Sequence, residues 1–355
     1  MSMTRAAVHE RYGTPDDVEV REFDVPAPAS GEVLLDVRAA SVNPLDWHSL
    51  TGTPWLLRIR NGVRRPKQRR LGTDVAGVVI GVGSAVTQWH EGDEVFGVAT
   101  GSFAAHACAK ATSIVAKPPS VSFEDAAAAP IAGLTALQAL RDKGRVGDGQ
   151  RVLVIGAAGG VGTFAVQIAK HLGAAHVTGV CSTANVDMVR AIGADDVVDY
   201  TREGVVAATA SPYDVIIDNV GDLPLRQCRR LLAGTGVYVI VSGPKRNRVL
   251  GPVPRMLAAI ASFAATSPRA APILARVTAD DLAVLADLLD GDAIRPVIER
   301  TYSLDEVDVA LRHIGSGHTR GKIVVVPRTQ PVPVPPDRPL PQGRAQRDHG
   351  HGVHP

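Results

Sequence analysis

From Arg151 onward, short apolar runs alternate with stretches that repeat every three or four residues. Arg151–Ile155 (RVLVI) reads as a buried strand. Val161, Ala165, Ile168 and Leu172 then recur at helical spacing, and Gly173 supplies a stop. His176–Val180 reads as a second strand, followed by a helix around Asn185–Ile192. Asp195–Tyr200, Tyr213–Val220 and Gly236–Val241 are further strand candidates. Strands alternating with helices predict a doubly wound parallel sheet. The first 125 residues have a different texture. Glu32–Arg38 and Val75–Val82 are β-branched runs broken up by Gly and Pro, and helical periods are scarce, so this part is expected to be β-rich. Near the end, Arg295–Gly315 holds a strand and then a helix. Ser303 and Glu306 have capping-box spacing, Gly315 is expected to end the helix, and Lys322–Val326 is a last strand. Beyond Pro327 the chain is too rich in Pro, Arg and Gly to bury a core, and disorder is expected.

Composition narrows the function classes. With 355 residues, two domains or one large one are expected, and 45% hydrophobic residues suffice for a real core. A formal charge of only +2 does not point to nucleic-acid binding. The basic run Arg58–Arg70 is read as a solvated surface loop, although it could also attract an anion. Aromatics are 4%, so a pocket for a hydrophobic small molecule must be lined by aliphatic and backbone groups. Cys108, Cys181 and Cys228 are widely spaced and show no CxxC pairing, which supports neither a disulfide framework nor a cysteine-rich zinc site. There is no apolar run long enough to span a membrane and no secretory h-region, so a cytoplasmic location is expected. Pro252–Val277 is unusually apolar. It is read as a packed helix pair walling a substrate pocket, with a dimer or membrane-contacting face as the alternative. It also obscures the sixth strand of the sheet.

The strongest motif is Ile155–Gly162 (IGAAGGVG), placed between strand and helix as a dinucleotide-binding turn requires. Gly159 lets the backbone approach a diphosphate, and Gly162 lets the helix pack on the strand. Ala158, Gly160 and Val161 complete the turn and the first amides of the helix, where the macrodipole favours anions. Ala157 replaces the first Gly of the strict pattern. An NAD enzyme usually offers an acid about 20 residues on for the ribose hydroxyl. Here the second strand ends in Cys181-Ser182-Thr183, with no carboxylate before Asp187. Ser182 and Thr183 are candidate donors to a 2′-phosphate, as well as candidate helix caps. The reading is NADPH, with NADH possible.

Taken in order, Ser41–Trp47, Leu71–Val79, Gly92–Gly97, Ala157–Lys170 and Gly317–Val325 resemble the medium-chain dehydrogenase/reductase superfamily, and within it the zinc-free, quinone-oxidoreductase-like branch. The resemblance runs from about Arg5 to Val326. It implies a GroES-like β-barrel catalytic domain (1–124), a Rossmann domain (125–283) and a return segment completing the catalytic domain (284–327), ahead of a tail (328–355). It places Asn43 against nicotinamide and substrate, and Tyr200 in the 2′-phosphate pocket. Asn219, Val220 and Gly221 should border the cofactor, and Ser242 and Gly243 should lie on the nicotinamide side. Gly321 and Lys322 match a GK pair that closes over the cofactor. Ala184 departs from relatives that carry a basic residue there.

At the places where zinc-dependent members have ligands stand Asn43 and Thr73, and the four-cysteine lobe is missing. His48 is read as a surface or supporting histidine. His349, His351 and His354 of the tail are read as solvated. The implied reaction is metal-free hydride transfer from NADPH to quinones or α,β-unsaturated carbonyls, with Asn43 bonding the developing oxyanion. Asp46 is read as a loop cap, with general acid as the alternative. A zinc-type alcohol dehydrogenase and a non-catalytic NADPH-binding sensor are the rival classes, and a homodimer through Rossmann sheet edges is the implied assembly.

Overall fold

The computed structural model describes residues 3–209, 211–243, 247–264 and 266–327. The segment 328–355, with its three histidines, lies outside the described residues. The first part is β-rich. Strands β1 (Met3–Val8) and β2 (Glu19–Asp24) form an antiparallel ribbon. β3 (Glu32–Val42), β4 (Asp74–Val82), β5 (Glu94–Val98), β6 (His106–Lys110) and β7 (Ile114–Ala116) begin a seven-stranded sheet. Two short helices, α1 (Pro44–Thr51) and α2 (Leu56–Asn61), lie between β3 and β4. α2 occupies the start of the basic run, so that run is not wholly a loop. Arg58 stacks over Tyr12 and donates from Nε to the Gly52 carbonyl at 2.8 Å. Its flat guanidinium is held by an aromatic face and a helix end rather than by solvent.

α3 (Phe123–Ala128) packs on β3, β4 and β5, and α4 (Pro130–Gln138) leads towards the second sheet. That sheet contains β8 (Arg151–Ile155), β9 (His176–Cys181), β10 (Asp196–Asp199), β11 (Tyr213–Asp218), β12 (Leu232–Ile240) and β13 (Arg269–Pro272). Every pairing is parallel, in the order β10-β9-β8-β11-β12-β13. Val152, Leu153 and Val154 are all buried, as expected of a parallel strand covered on both faces. Around the sheet lie α5 (Gly160–His171), α6 (Val186–Ala191), α7 (Leu225–Leu231), α8 (Val253–Phe263) and α9 (Ala279–Asp290). The chain then returns. β14 (Ile298–Ser303), α10 (Val307–Ser316) and β15 (Lys322–Val326) extend the first sheet as β14-β15-β3-β4-β5-β7, with β6 also on β3.

Two sequence expectations are corrected here. The Pro252–Val277 region is not a helix pair: it is one helix, α8, followed by β13, the missing sixth strand. Arg-Ala-Ala-Pro carries no β-branched signal, and neighbouring β12 imposes its conformation. In addition, α10 does not end at Gly315 but runs to Ser316, and Gly317 takes the left-handed cap at φ 76°. Gly315 instead makes room for Trp47, because a Cβ there would lie 2.4 Å from the ring.

Several hydrogen bonds tie the two sheets together. Asp74 accepts from the Ile131 amide at 3.1 Å. The Gln167 amide brackets the backbone of Arg295 at 2.8 and 3.0 Å. Trp55 and Leu56 donate to the carbonyls of Arg248 and Val249.

Candidate active site

The glycine-rich turn connects β8 to α5. Gly156 and Ala157 donate to the Val180 carbonyl at 3.1 and 3.0 Å, which fastens the turn to β9. A Cβ on Gly162 would sit 2.1 Å from the Gly156 oxygen, so this residue is what lets the helix start so close to the strand. Gly159 differs. It has ordinary extended geometry, φ −80°, and a Cβ there meets nothing nearer than 3.6 Å. The protein itself has no steric need for glycine at 159, and the bare backbone leaves an open face. Beside that face, among the described residues, the amides of Val161 and Gly162 have no backbone acceptor, and the Gly160 amide faces the Gly321 carbonyl. Two unmet donors at the start of a twelve-residue helix suit a diphosphate. The return segment clamps this cradle, with the Gly321 amide donating to the Ala158 carbonyl at 2.8 Å and Gly159 bridging to Gly321.

At the ends of β9 and β10, Thr183, Val186, Asp187, Arg190, Val197, Asp199, Arg202 and Glu203 line a cavity of about 580 Å³. The Thr183 hydroxyl is not free for a phosphate. It donates to Asp199 Oδ2 at 2.5 Å and meets the Thr201 hydroxyl at 2.8 Å. Those hydroxyl bonds hold the Asp199 carboxyl below its usual range. Ser182 keeps an oxygen that accepts from Asn185 at 3.2 Å, and Tyr200 is exposed.

On the other side of the turn, Asn219 donates through Nδ2 to the Ile155 carbonyl at 3.0 Å. Its Oδ1 is buried and has no partner among the described residues, and a ligand can complete such an acceptor. Val220 is partly exposed. The turn is held from below by Asp218, wholly buried, which accepts from the amides of Val220 and Gly221 at 3.0 and 2.8 Å. Asp218 also takes the Tyr238 hydroxyl at 2.5 Å and lies 3.3 Å from the Arg255 guanidinium. Sequence reasoning missed this Asp–Tyr–Arg lock. The available signal was an acid closing the apolar run Val215–Ile217. Ser242 and Gly243 follow β12; Ser242 is exposed, and Gly243 abuts Pro252, which a Cβ would meet at 2.7 Å.

Beneath the cradle lies a second structure that the sequence did not reveal. The Lys322 stem flanks Gly160, with Cδ 3.2 Å from where a Cβ would be. Its ammonium turns inward, donating to Asn43 Oδ1 at 2.6 Å and the Val42 carbonyl at 3.3 Å, and lies 3.5 Å from Asp74 Oδ2. Asn43 Nδ2 donates to Asp74 Oδ2 at 2.9 Å, and the Ser41 hydroxyl donates to the same oxygen at 2.8 Å. Asp46 caps α1 through the Asn43 amide at 2.8 Å and accepts the Thr73 hydroxyl at 3.1 Å. Asn43, Asp46, Asp74 and Lys322 are at most 3% exposed. Burial raises both carboxyls, Asp46 to about 7, and lowers the lysine.

Two expectations are thereby corrected. Asn43 does not present its amide to a substrate, because its polar atoms are spent on Lys322, Asp74 and the Ser41 carbonyl. Lys322 does not close over a cofactor with its charge; only its stem touches the cradle. Asp74 stands beside Asn43 as a second carboxylate. Among the described residues no three His, Cys, Asp or Glu side chains form a metal-holding group.

Comparison with known proteins places this architecture. The family model for an alcohol dehydrogenase GroES-like domain matches residues 29–130, and one described as zinc-binding dehydrogenase matches 192–325. A chloroplastic quinone-oxidoreductase homolog of Spinacia oleracea is 34% identical over 332 residues, covering 89% of this chain and 95% of its own. The quinone oxidoreductase from Coxiella burnetii matches with a TM-score of 0.79 and 32% identity over 92% of this chain and all (100%) of that one. Escherichia coli quinone oxidoreductase complexed with NADPH matches with a TM-score of 0.78 and 26% identity over 91% and 100% of the two chains. The GroES-like sheet, the Rossmann sheet and these relatives agree: the chain belongs to the medium-chain dehydrogenase/reductase superfamily, within its quinone-oxidoreductase-like branch of oxidoreductases.

Proposed function

We propose that the chain reduces quinones or α,β-unsaturated carbonyls with NADPH. One observation carries the reading: unmet helix amides at Val161 and Gly162 beside the open face of Gly159, in a cradle clamped by Gly321. When bound, the dinucleotide supplies a hydride. The chain's own residues do the holding. Val161 and Gly162 receive the diphosphate, with Ala158, Gly160 and Gly321 fixing the loop that presents them. Asn219 offers its unpaired Oδ1, and Val220, Ser242 and Gly243 border the reacting end. Asn43 and Thr73 are poor zinc ligands, which favours substrates that spread the incoming negative charge over a conjugated system.

For the adenosine end, Ser182, the exposed Tyr200 ring, Arg190 and Arg202 support a 2′-phosphate. Asp199 opposes it, and Thr183 leans on Asp199 rather than on the cavity. This second observation keeps NADH as the alternative donor and limits the expected preference for NADPH to a modest one. The test is fluorescence titration with each nucleotide, followed by loss of reduced-nucleotide absorbance over a panel of quinones and enones. Failure to bind either nucleotide would overturn the proposal, and binding without turnover would leave a sensor. The outer edge of β13 pairs with no strand among the described residues, which suits a homodimer joined there; light scattering decides it.

A further inference from the structure

The reduction proposed above consumes one proton for every hydride, and this inference rests on that reading. The buried cluster under the cradle holds two carboxylates against one ammonium. Lys322 is nearer Asp74, and Asn43 and Ser41 also bond to Asp74. Among the described residues, Asp46 receives only the Asn43 main-chain amide and the hydroxyl of Thr73. Thr73 is half-buried, whereas every other side chain bonded to these carboxyls is buried. Of the side chains bonded to these carboxyls it is the one that solvent reaches appreciably.

We propose that Asp46 stores the proton that reduction consumes and passes it to the substrate through the hydroxyl of Thr73. With Asp46 protonated, its O–H donates to Thr73 Oγ1 and the threonine hydrogen faces the cleft. As hydride reaches the substrate carbon, the Thr73 O–H bond breaks and an O–H bond forms on the developing oxyanion. The Asp46 O–H bond then breaks to restore Thr73. Asp46 is left as a carboxylate and takes a proton back from solvent along the same route. Thr73 is the catalytic residue, and Asp46 acts through it. The charged groups acting on Asp46 are Asp74 of β4 and Lys322 of β15, and His48 is the other titratable side chain on α1. Burial, then the charge of Asp74, raise the Asp46 carboxyl to about 7, while its two hydrogen bonds and Lys322 resist. The proton-bearing form is thus available below neutrality and lost as pH rises through that value.

The experiment is steady-state turnover of cyclohexenone and menadione with NADPH across pH 5.5–9, a window spanning roughly two units either side of that midpoint. Wild-type kcat should fall above about pH 7 with a single ionisation. Thr73→Val should lower kcat by about 100-fold with KM and NADPH affinity little changed, and should remove the break. Thr73→Ser, which restores the hydroxyl, should recover both rate and break. Asp46→Asn, which resembles the protonated acid in shape, should also flatten the profile. If Asp46→Asn does not fold, the Thr73 pair decides alone. A Thr73→Val enzyme with wild-type kcat and an unshifted pH break would overturn the relay. Absence of NADPH binding in the wild type would instead sink the function reading beneath it.

Discussion

Two neighbouring regions of this protein are built on opposite principles. The glycine cradle works by leaving groups unmet: two amides without backbone acceptors among the described residues and one residue, Gly159, without a side chain and without a packing reason for lacking one. The cluster around Lys322, directly beneath, leaves almost nothing unmet. Its charges are out of water, and each leans on a named neighbour. Substitutions in the cradle should therefore cost binding before stability, and loss of a buried charge in the cluster should cost stability first. A site that awaits a ligand and a site that holds itself together can be told apart by what a Cβ or a missing charge would meet.

The largest expected effect is at the cluster. Lys322→Met leaves Asp74 buried without its ammonium, and unfolding in urea should show a loss of about 3–5 kcal/mol. Adding Asp74→Asn should return part of that loss; a single mutant costing under about 1 kcal/mol would mean the pair carries little charge. At the cradle, Gly159→Val should weaken NADPH binding about 100-fold, near 2.7 kcal/mol, without moving the unfolding midpoint. Gly162→Ala breaks that pattern, because its Cβ would strike the Gly156 oxygen. It should cost about 1–3 kcal/mol of stability and reduce binding as well. If the two glycine variants behave alike, the distinction between open face and close packing is wrong. The smallest effect is at the adenosine end. Asp199→Asn removes a carboxylate beside the expected phosphate and should raise the NADPH-to-NADH affinity ratio about fivefold. An unchanged ratio would place the adenosine elsewhere.

The legible parts of this fold were local. RVLVI, the turn and the Val161–Leu172 period are contiguous, and a strand-turn-helix unit announces itself through spacing alone. The capping box at Ser303 and Glu306 is local too, and the structure contains it. What stayed hidden depends on distance along the chain or on a neighbour's influence. β13 is a strand because β12 makes it one. Asp74 and Lys322 face each other only after the chain has returned to the first sheet, and no periodicity links them. The same holds for Asp218, Tyr238 and Arg255. Asn43 was singled out through family resemblance alone, which says where a side chain sits but not which way its amide points. An acid at the end of an apolar run, as at Asp74 and Asp218, was the overlooked clue, because such a group is buried only when partners await it.

The bond from the Gly321 amide to the Ala158 carbonyl has a consequence for biosynthesis. The turn at 156–162 leaves the ribosome with its strand and helix long before residue 321 is made. Until the final strand arrives, the loop lacks its clamp. Nucleotide capture is therefore tied to synthesis of the return segment, and a chain stopped short of Gly321 carries the recognisable motif without the geometry that makes it useful.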